Sequence, residues 1–160
     1  MPQSGPSYFN RIDVKKAVHA PLDVHWQDCT VKSVFKPWDR SLDPIQEVLP
    51  QVIEATNRVL ISNGDWDVLI PTNGTLLPIQ NMTWNGQLGF QSAPTTDFIV
   101  PISASPQYWP RKPQGIMGKQ HFERGLQWVE TYQAGHMVPQ YQPAAAWRHL
   151  EWLLGRIDTL

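Results

Sequence analysis

Apolar positions recur along the chain at spacings that predict short helices and a few buried strands. Val14, Ala17 and Val18 share one helical face behind Asp13, a residue type suited to capping a helix, and Pro21 is expected to end that helix. Asp43-Pro44 opens a clearer helix, a capping residue followed by proline at the first helical position. Ile45, Val48, Leu49, Val52 and Ile53 keep helical spacing there, and Pro50 must kink the helix or split it. Val59-Leu60-Ile61-Ser62 is a short apolar run stopped by Asn63-Gly64, with the length and flanks of a buried parallel strand. A further helix is expected from Thr72 to Asn81 with Leu76, Leu77 and Ile79 inward, although Pro78 interrupts the pattern. Residues 94–113 hold five prolines and read as an irregular surface loop. Ile116 to Phe122 and Leu126 to Tyr132 then read as two strands joined across Glu123-Arg124-Gly125. Pro143 starts the last helix, with Ala146, Leu150, Leu153 and Leu154 as its apolar stripe and Gly155 as its stop.

Helices before, between and after a few strands predict an α/β fold, an incomplete mixed sheet with packed helices. Two parallel strands are too few for such a sheet to cover itself, so the pattern describes part of a domain. At 160 residues the length suits one compact unit, taken here to run over 1–160. Hydrophobic residues at 41% exclude global disorder, and no stretch reaches the ~20 apolar residues of a membrane span. Residues 1–10 lack the apolar core of a signal peptide.

Charge narrows the partners. The net charge is −1, and the basic residues form no stripe of the kind nucleic acid needs. With only 17% charged residues but eight Trp and 15 Pro, the surface suits apolar or peptide-like partners better than polyanions. Asn73-Gly74-Thr75 and Asn81-Met82-Thr83 are acceptor patterns for N-glycosylation, and they double as ordinary turn or cap residues. The single Cys29 excludes an internal disulfide.

Two loops can carry chemistry. Asn63-Gly64-Asp65-Trp66-Asp67 follows the Val59–Ser62 strand, and Ala134-Gly135-His136-Met137-Val138-Pro139 follows the strand ending at Tyr132. Ligands and catalytic groups of open α/β sheets gather beyond the carboxyl ends of strands. An acid after one strand and a histidine after a later one is the second half of the Ser…Asp…His order of α/β-hydrolases. Either loop alone is an ordinary polar turn; together, and in this order, they point to a carboxylate that orients an imidazole for proton transfer. No His-Glu-x-x-His or His-x-x-x-His spacing supports a metal site built on His121, His136 and His149, so neither metal nor cofactor is expected. His149 reads as a surface helix residue, and His19, His25 and His121 as structural. A carbohydrate-binding reading fails because the tryptophans are scattered rather than spaced as a platform.

The chain resembles the serine carboxypeptidases, secreted or vacuolar α/β-hydrolases, over nearly its whole length but only in that family's C-terminal portion. The similar segments are Tyr8 to Ala20, the Gly-Asp-x-Asp strand and loop within Val59 to Pro71, and Gly135-His136-Met137-Val138-Pro139 followed by Gln142-Pro143. The resemblance implies that Asp67 is the triad acid, that His136 is the triad base, and that Met137 lies near the pocket for the leaving residue. Trp26-Gln27-Asp28-Cys29 is similar to a family segment whose cysteine pairs with one in the N-terminal portion, which implies a disulfide from Cys29 to a part absent here.

The nucleophile is also absent. No Gly-x-Ser-x-Gly pentapeptide exists, and Gly5-Pro6-Ser7-Tyr8-Phe9 lacks the closing glycine, so Ser7 reads as linker. The family's Asn-Gly-Gly-Pro-Gly segment, part of its oxyanion hole, has no counterpart. The reading that follows is the C-terminal portion of a serine carboxypeptidase. It would contribute Asp67 and His136 to remove C-terminal residues from a peptide substrate, with the N-terminal portion of the same enzyme as partner and no activity alone. The competing reading is a non-catalytic truncated or interaction module derived from that fold.

Overall fold

The computed structural model describes residues 6–28, 40–101 and 115–160, with side chains from residue 8 onward. Cys29 and most of the proline-rich stretch, 102–113, lie outside the described residues. The chain divides into two compact units, Met1–Arg40 and Ser41–Leu160.

In the first unit, α1 (Pro6–Phe9) and α2 (Ile12–Ala17) flank a turn at Asn10. Ser7, expected as linker, falls within α1. The Asn10 side chain donates to the Trp26 carbonyl at 2.9 Å and accepts the Trp26 amide at 2.7 Å, while Phe9 packs on the Trp26 ring. Two sequence expectations need correcting. Arg11, not Asp13, stands at the cap of α2, and Asp13 pairs with the Arg11 guanidinium at 2.6 Å. Val18 is exposed, and the residue that α2 buries is Lys15. Its ammonium donates to the carbonyls of Leu22 and Val24, so the returning chain solvates the charge that burial would otherwise strand.

The second unit is built on a four-stranded sheet of order β1-β6-β5-β4. Its strands are β1 (Val59–Gly64), β4 (Thr96–Val100), β5 (Gly115–Glu123) and β6 (Leu126–Thr131). β1 runs parallel to β6, whereas β6–β5 and β5–β4 are antiparallel. β5 and β6 meet in a tight hairpin at Arg124-Gly125, both at positive φ. β2 (Thr83–Trp84) and β3 (Gln87–Leu88) form a separate hairpin around Asn85-Gly86, with φ of 46° and 78°. Asn-Gly suits the two positive φ angles that such a two-residue turn requires.

β4 corrects the surface-loop expectation for 94–113. Thr96–Val100 is an edge strand whose Phe98 and Val100 are fully buried. Pro94 and Pro101 only bracket it, as an edge strand tolerates.

The Asp43 helix starts as expected, its carboxylate accepting the Ile45 amide at 3.0 Å. It then divides just ahead of Pro50, into a π-helical turn (Pro44–Val48) and α3 (Leu49–Thr56), with Pro50 in the first turn of α3. α4 (Thr72–Gln80) carries Pro78 inside it. Strand alternation feeds two cores. Leu126 and Trp128 pack with Ile53, Ile79, Met82, Trp84 and Phe90 from the α3, α4 and hairpin side. Val129 packs with Phe98, Val100, Met117 and the last helix, α6 (Pro143–Leu153), which follows the short helix α5 (Val138–Tyr141). Helices therefore cover both faces of the sheet.

α6 corrects the apolar stripe. Its buried residues are Ala144, Ala145, His149 and Trp152, whereas Leu150, Leu153 and Leu154 are exposed. The small alanines let the helix approach the sheet, and Trp152 fills the far end. There Arg58 donates to the Trp152 and Ile157 carbonyls and stacks on the Trp152 ring. Gly155, at φ 69°, ends the helix as expected.

His149 is a core residue rather than a surface one. Its ring stacks on Phe98, Nδ1 lies 3.5 Å from Ser62 Oγ, and Nε2 is buried without a hydrogen-bond partner among the described residues. Burial pushes the imidazole down from 6.5 to about 4. A group held neutral in the folded state takes up its proton first in the unfolded state. Stability is therefore lost as pH falls from 6.5 towards about 4, and no further below that. The loss is on the order of 3 kcal/mol. His149→Gln should flatten this fall in denaturant titrations across that interval; an equal fall in parent and variant would mean that His149 is protonated in the fold.

Candidate active site

The site begins where β1 and β6 end. Their parallel register sets Gly64 opposite Thr131, so both chains leave the sheet at the same edge. Asn63, expected to stop the strand, belongs to it and is buried. Its amide donates to the Ile70 carbonyl at 3.0 Å and accepts the Thr75 hydroxyl at 2.7 Å, which closes the acid loop at its base.

Gly64 brings the two loops into contact. A Cβ there would sit 2.1 Å from the Ala134 carbonyl oxygen and 2.6 Å from that of Gly135, so only glycine allows this approach. The Asp65 amide donates to the Thr131 carbonyl at 3.0 Å, and the Trp66 amide to the Ala134 carbonyl at 2.9 Å.

Asp67 and His136 come together on this frame. His136 Nδ1 lies 3.0 Å from Asp67 Oδ2, with the acid side chain 4% exposed and the imidazole 49% exposed. The other carboxylate oxygen, Oδ1, accepts the amides of Leu69 and Ile70, each at 2.9 Å. The Ile70 amide, ahead of His136 and the Leu69 amide, holds the carboxyl below its ordinary range against the opposing effect of burial. An ionised carboxylate has no proton to give. In the neutral imidazole the hydrogen bond therefore selects the tautomer with the proton on Nδ1 and the lone pair on Nε2.

The remaining expected residues are scattered around this pair. Met137 follows the histidine and is 58% exposed. Asn73 lies in the first turn of α4 and Asn81 caps its end, both exposed. His121, on β5, finds Glu123 at 3.0 Å and the Phe90 ring. Among the described residues, no group of three or more His, Cys, Asp or Glu could hold a metal ion, and no helix is long and apolar enough to cross a membrane. Asn63, Gly64 and Asp65 were visible in the motif, but spacing assigns them no separate part.

Comparison with known proteins adds family and fold. A serine carboxypeptidase family model matches residues 2–156. The chain is 54% identical over 176 residues to serine-type carboxypeptidase F of Aspergillus niger, covering 100% of this chain and 33% of that protein. It is 44% identical over 161 residues to a probable serine carboxypeptidase of Arthroderma benhamiae, covering 100% and 30%. The chain thus spans about a third of the length of these curated relatives. The crystal structure of a prohormone-processing carboxypeptidase from Saccharomyces cerevisiae superposes with a TM-score of 0.67 at 23% identity, over 94% of this chain and 31% of that one. The architecture is accordingly a partial α/β-hydrolase fold, as the sequence implied.

The packing at Gly64 has a direct consequence. Gly64→Ala should cost about 1–3 kcal/mol in denaturant unfolding, since the added methyl meets backbone that cannot step aside. A variant as stable as the parent would show that the two loops are not packed this closely.

Proposed function

The chain belongs to the serine carboxypeptidase family, and from that membership we propose that it supplies the acid, Asp67, and the base, His136, of a Ser-Asp-His triad that removes C-terminal residues from peptides. The observation that carries this reading is the 3.0 Å contact between His136 Nδ1 and Asp67 Oδ2, which leaves Nε2 as the ring nitrogen to accept a proton. The serine comes from the N-terminal portion of the same enzyme, outside these 160 residues, because the chain holds no Gly-x-Ser-x-Gly elbow.

The chemistry follows from the placement of protons. His136 Nε2 takes the serine proton as Oγ attacks the last peptide carbonyl, and Asp67 stabilises the imidazolium that forms. The proton passes to the departing amino group, leaving an acyl-serine. Water then attacks the acyl group, gives its proton to the same nitrogen, and His136 returns that proton to the serine as it leaves. Without the serine the pair holds its geometry and turns nothing over, so the isolated chain is inactive. Cys29 forms a disulfide to the N-terminal portion, and Met137 borders the pocket for the leaving residue. The enzyme travels the secretory route to the vacuole or the exterior, and its exposed Asn73 and Asn81 accept glycans.

In the complete enzyme, Asp67→Ala and His136→Ala should each lower kcat by roughly 10⁴-fold or more, read as release of C-terminal amino acids from a peptide, with folding retained. Near-parental turnover in either variant would remove that residue from the triad. Asn73→Gln and Asn81→Gln should each shed the mass of one glycan when the enzyme is made in a eukaryotic secretory host. An unchanged mass would withdraw that acceptor.

A further inference from the structure

Two residues before the acid stands a second carboxylate that the triad does not use. Asp65 Oδ1 accepts the backbone amide of Ala134 at 3.2 Å, across 69 residues of sequence. Ala134 is fully buried and lies two residues before His136. The contacts between the loops therefore form two rungs of equal offset, Asp65 to Ala134 and Asp67 to His136. The first rung is reinforced by the Asp65 and Trp66 amides, which donate to the Thr131 and Ala134 carbonyls. Within that first rung only the Asp65 carboxylate is a side chain; the other links are backbone to backbone.

We infer that Asp65 is a positioning residue: by holding the Ala134 amide it fixes the departure of the base loop from β6, and so the distance of His136 from Asp67. This rests on the triad reading above and assigns Asp65 no contact with substrate. The physical argument is one of leverage. His136 is half exposed and its side chain bonds to Asp67, so the reach of that bond depends on where the backbone two residues back sets the loop. Remove the carboxylate and the Ala134 amide loses its side-chain acceptor, leaving the loop to find water or another conformation. Misplacing a catalytic group by about 1 Å can cost on the order of 100-fold in rate without weakening substrate binding. Asparagine retains an oxygen acceptor of the same reach, so it can restore the rung without the charge.

The test uses the complete enzyme and a peptide substrate, comparing Asp65→Ala, Asp65→Asn and Asp67→Ala. Asp65→Ala should lower kcat by roughly 10- to 100-fold with KM within about 2-fold of the parent, and Asp65→Asn should recover most of the loss. Parental kcat in Asp65→Ala, with Asp67→Ala inactive, would overturn the positioning role and leave the triad standing. Equal losses in both Asp65 variants, accompanied by a lower melting temperature, would mark Asp65 as merely structural and also overturn it. Activity retained in Asp67→Ala would instead bring down the triad reading, and the inference with it.

Discussion

Gly64 and Thr131 face each other on the last rung of a parallel ladder, so β1 and β6 deliver their chains to one edge of the sheet. Antiparallel pairing of the same strands would send the two loops to opposite edges. With the parallel register, the loop bearing Asp67 and the loop bearing His136 leave side by side, and a residue without a side chain at 64 lets their backbones touch. Backbone hydrogen bonds then fix how far each loop travels before Asp67 and His136 appear.

That register is itself upheld by burial on both faces of the sheet. Leu126 and Trp128 commit one face of β6 to the α3 and α4 side, and Val129 commits the other to α6. A slip by one residue would exchange the two cores, which differ in shape and in the helices that supply them. Arg58 ties the start of β1 to the end of α6 through two carbonyls, so the last helix is anchored to the strand that precedes the Asp67 loop. The core keeps His149 at some cost, since its ring lies against Phe98 with Nε2 buried and without a hydrogen-bond partner among the described residues. The site proper has the opposite character: an ionised carboxylate fully supplied with donors beside an imidazole open on one side.

Sequence and structure part company where long-range packing overrides local pattern. The edge strand at Thr96–Val100 sat unseen between prolines because proline density reports on a segment's flanks, whereas Phe98 and Val100 are buried by a core assembled from elsewhere. Helical periodicity chose the leucines of α6, yet the sheet accepted the alanines, His149 and Trp152, because close approach needs small residues where the helix crosses. Lys15 was unreadable for a related reason: its burial depends on carbonyls at Leu22 and Val24 that a turn brings beneath it.

By itself the sequence determined the local events: the strand at Val59, the hairpin around Arg124-Gly125, the cap at Asp43, the break beside Pro50, and the order of an acid loop before a histidine loop. These rest on steric and hydrogen-bonding preferences that act within a few residues. Only the tertiary structure decided that Asp67 and His136 meet at 3.0 Å, which face of α6 is buried, and that Asp65 reaches Ala134. Those facts depend on residues about 70 positions apart being brought together by one strand register, and no local preference encodes such a distance.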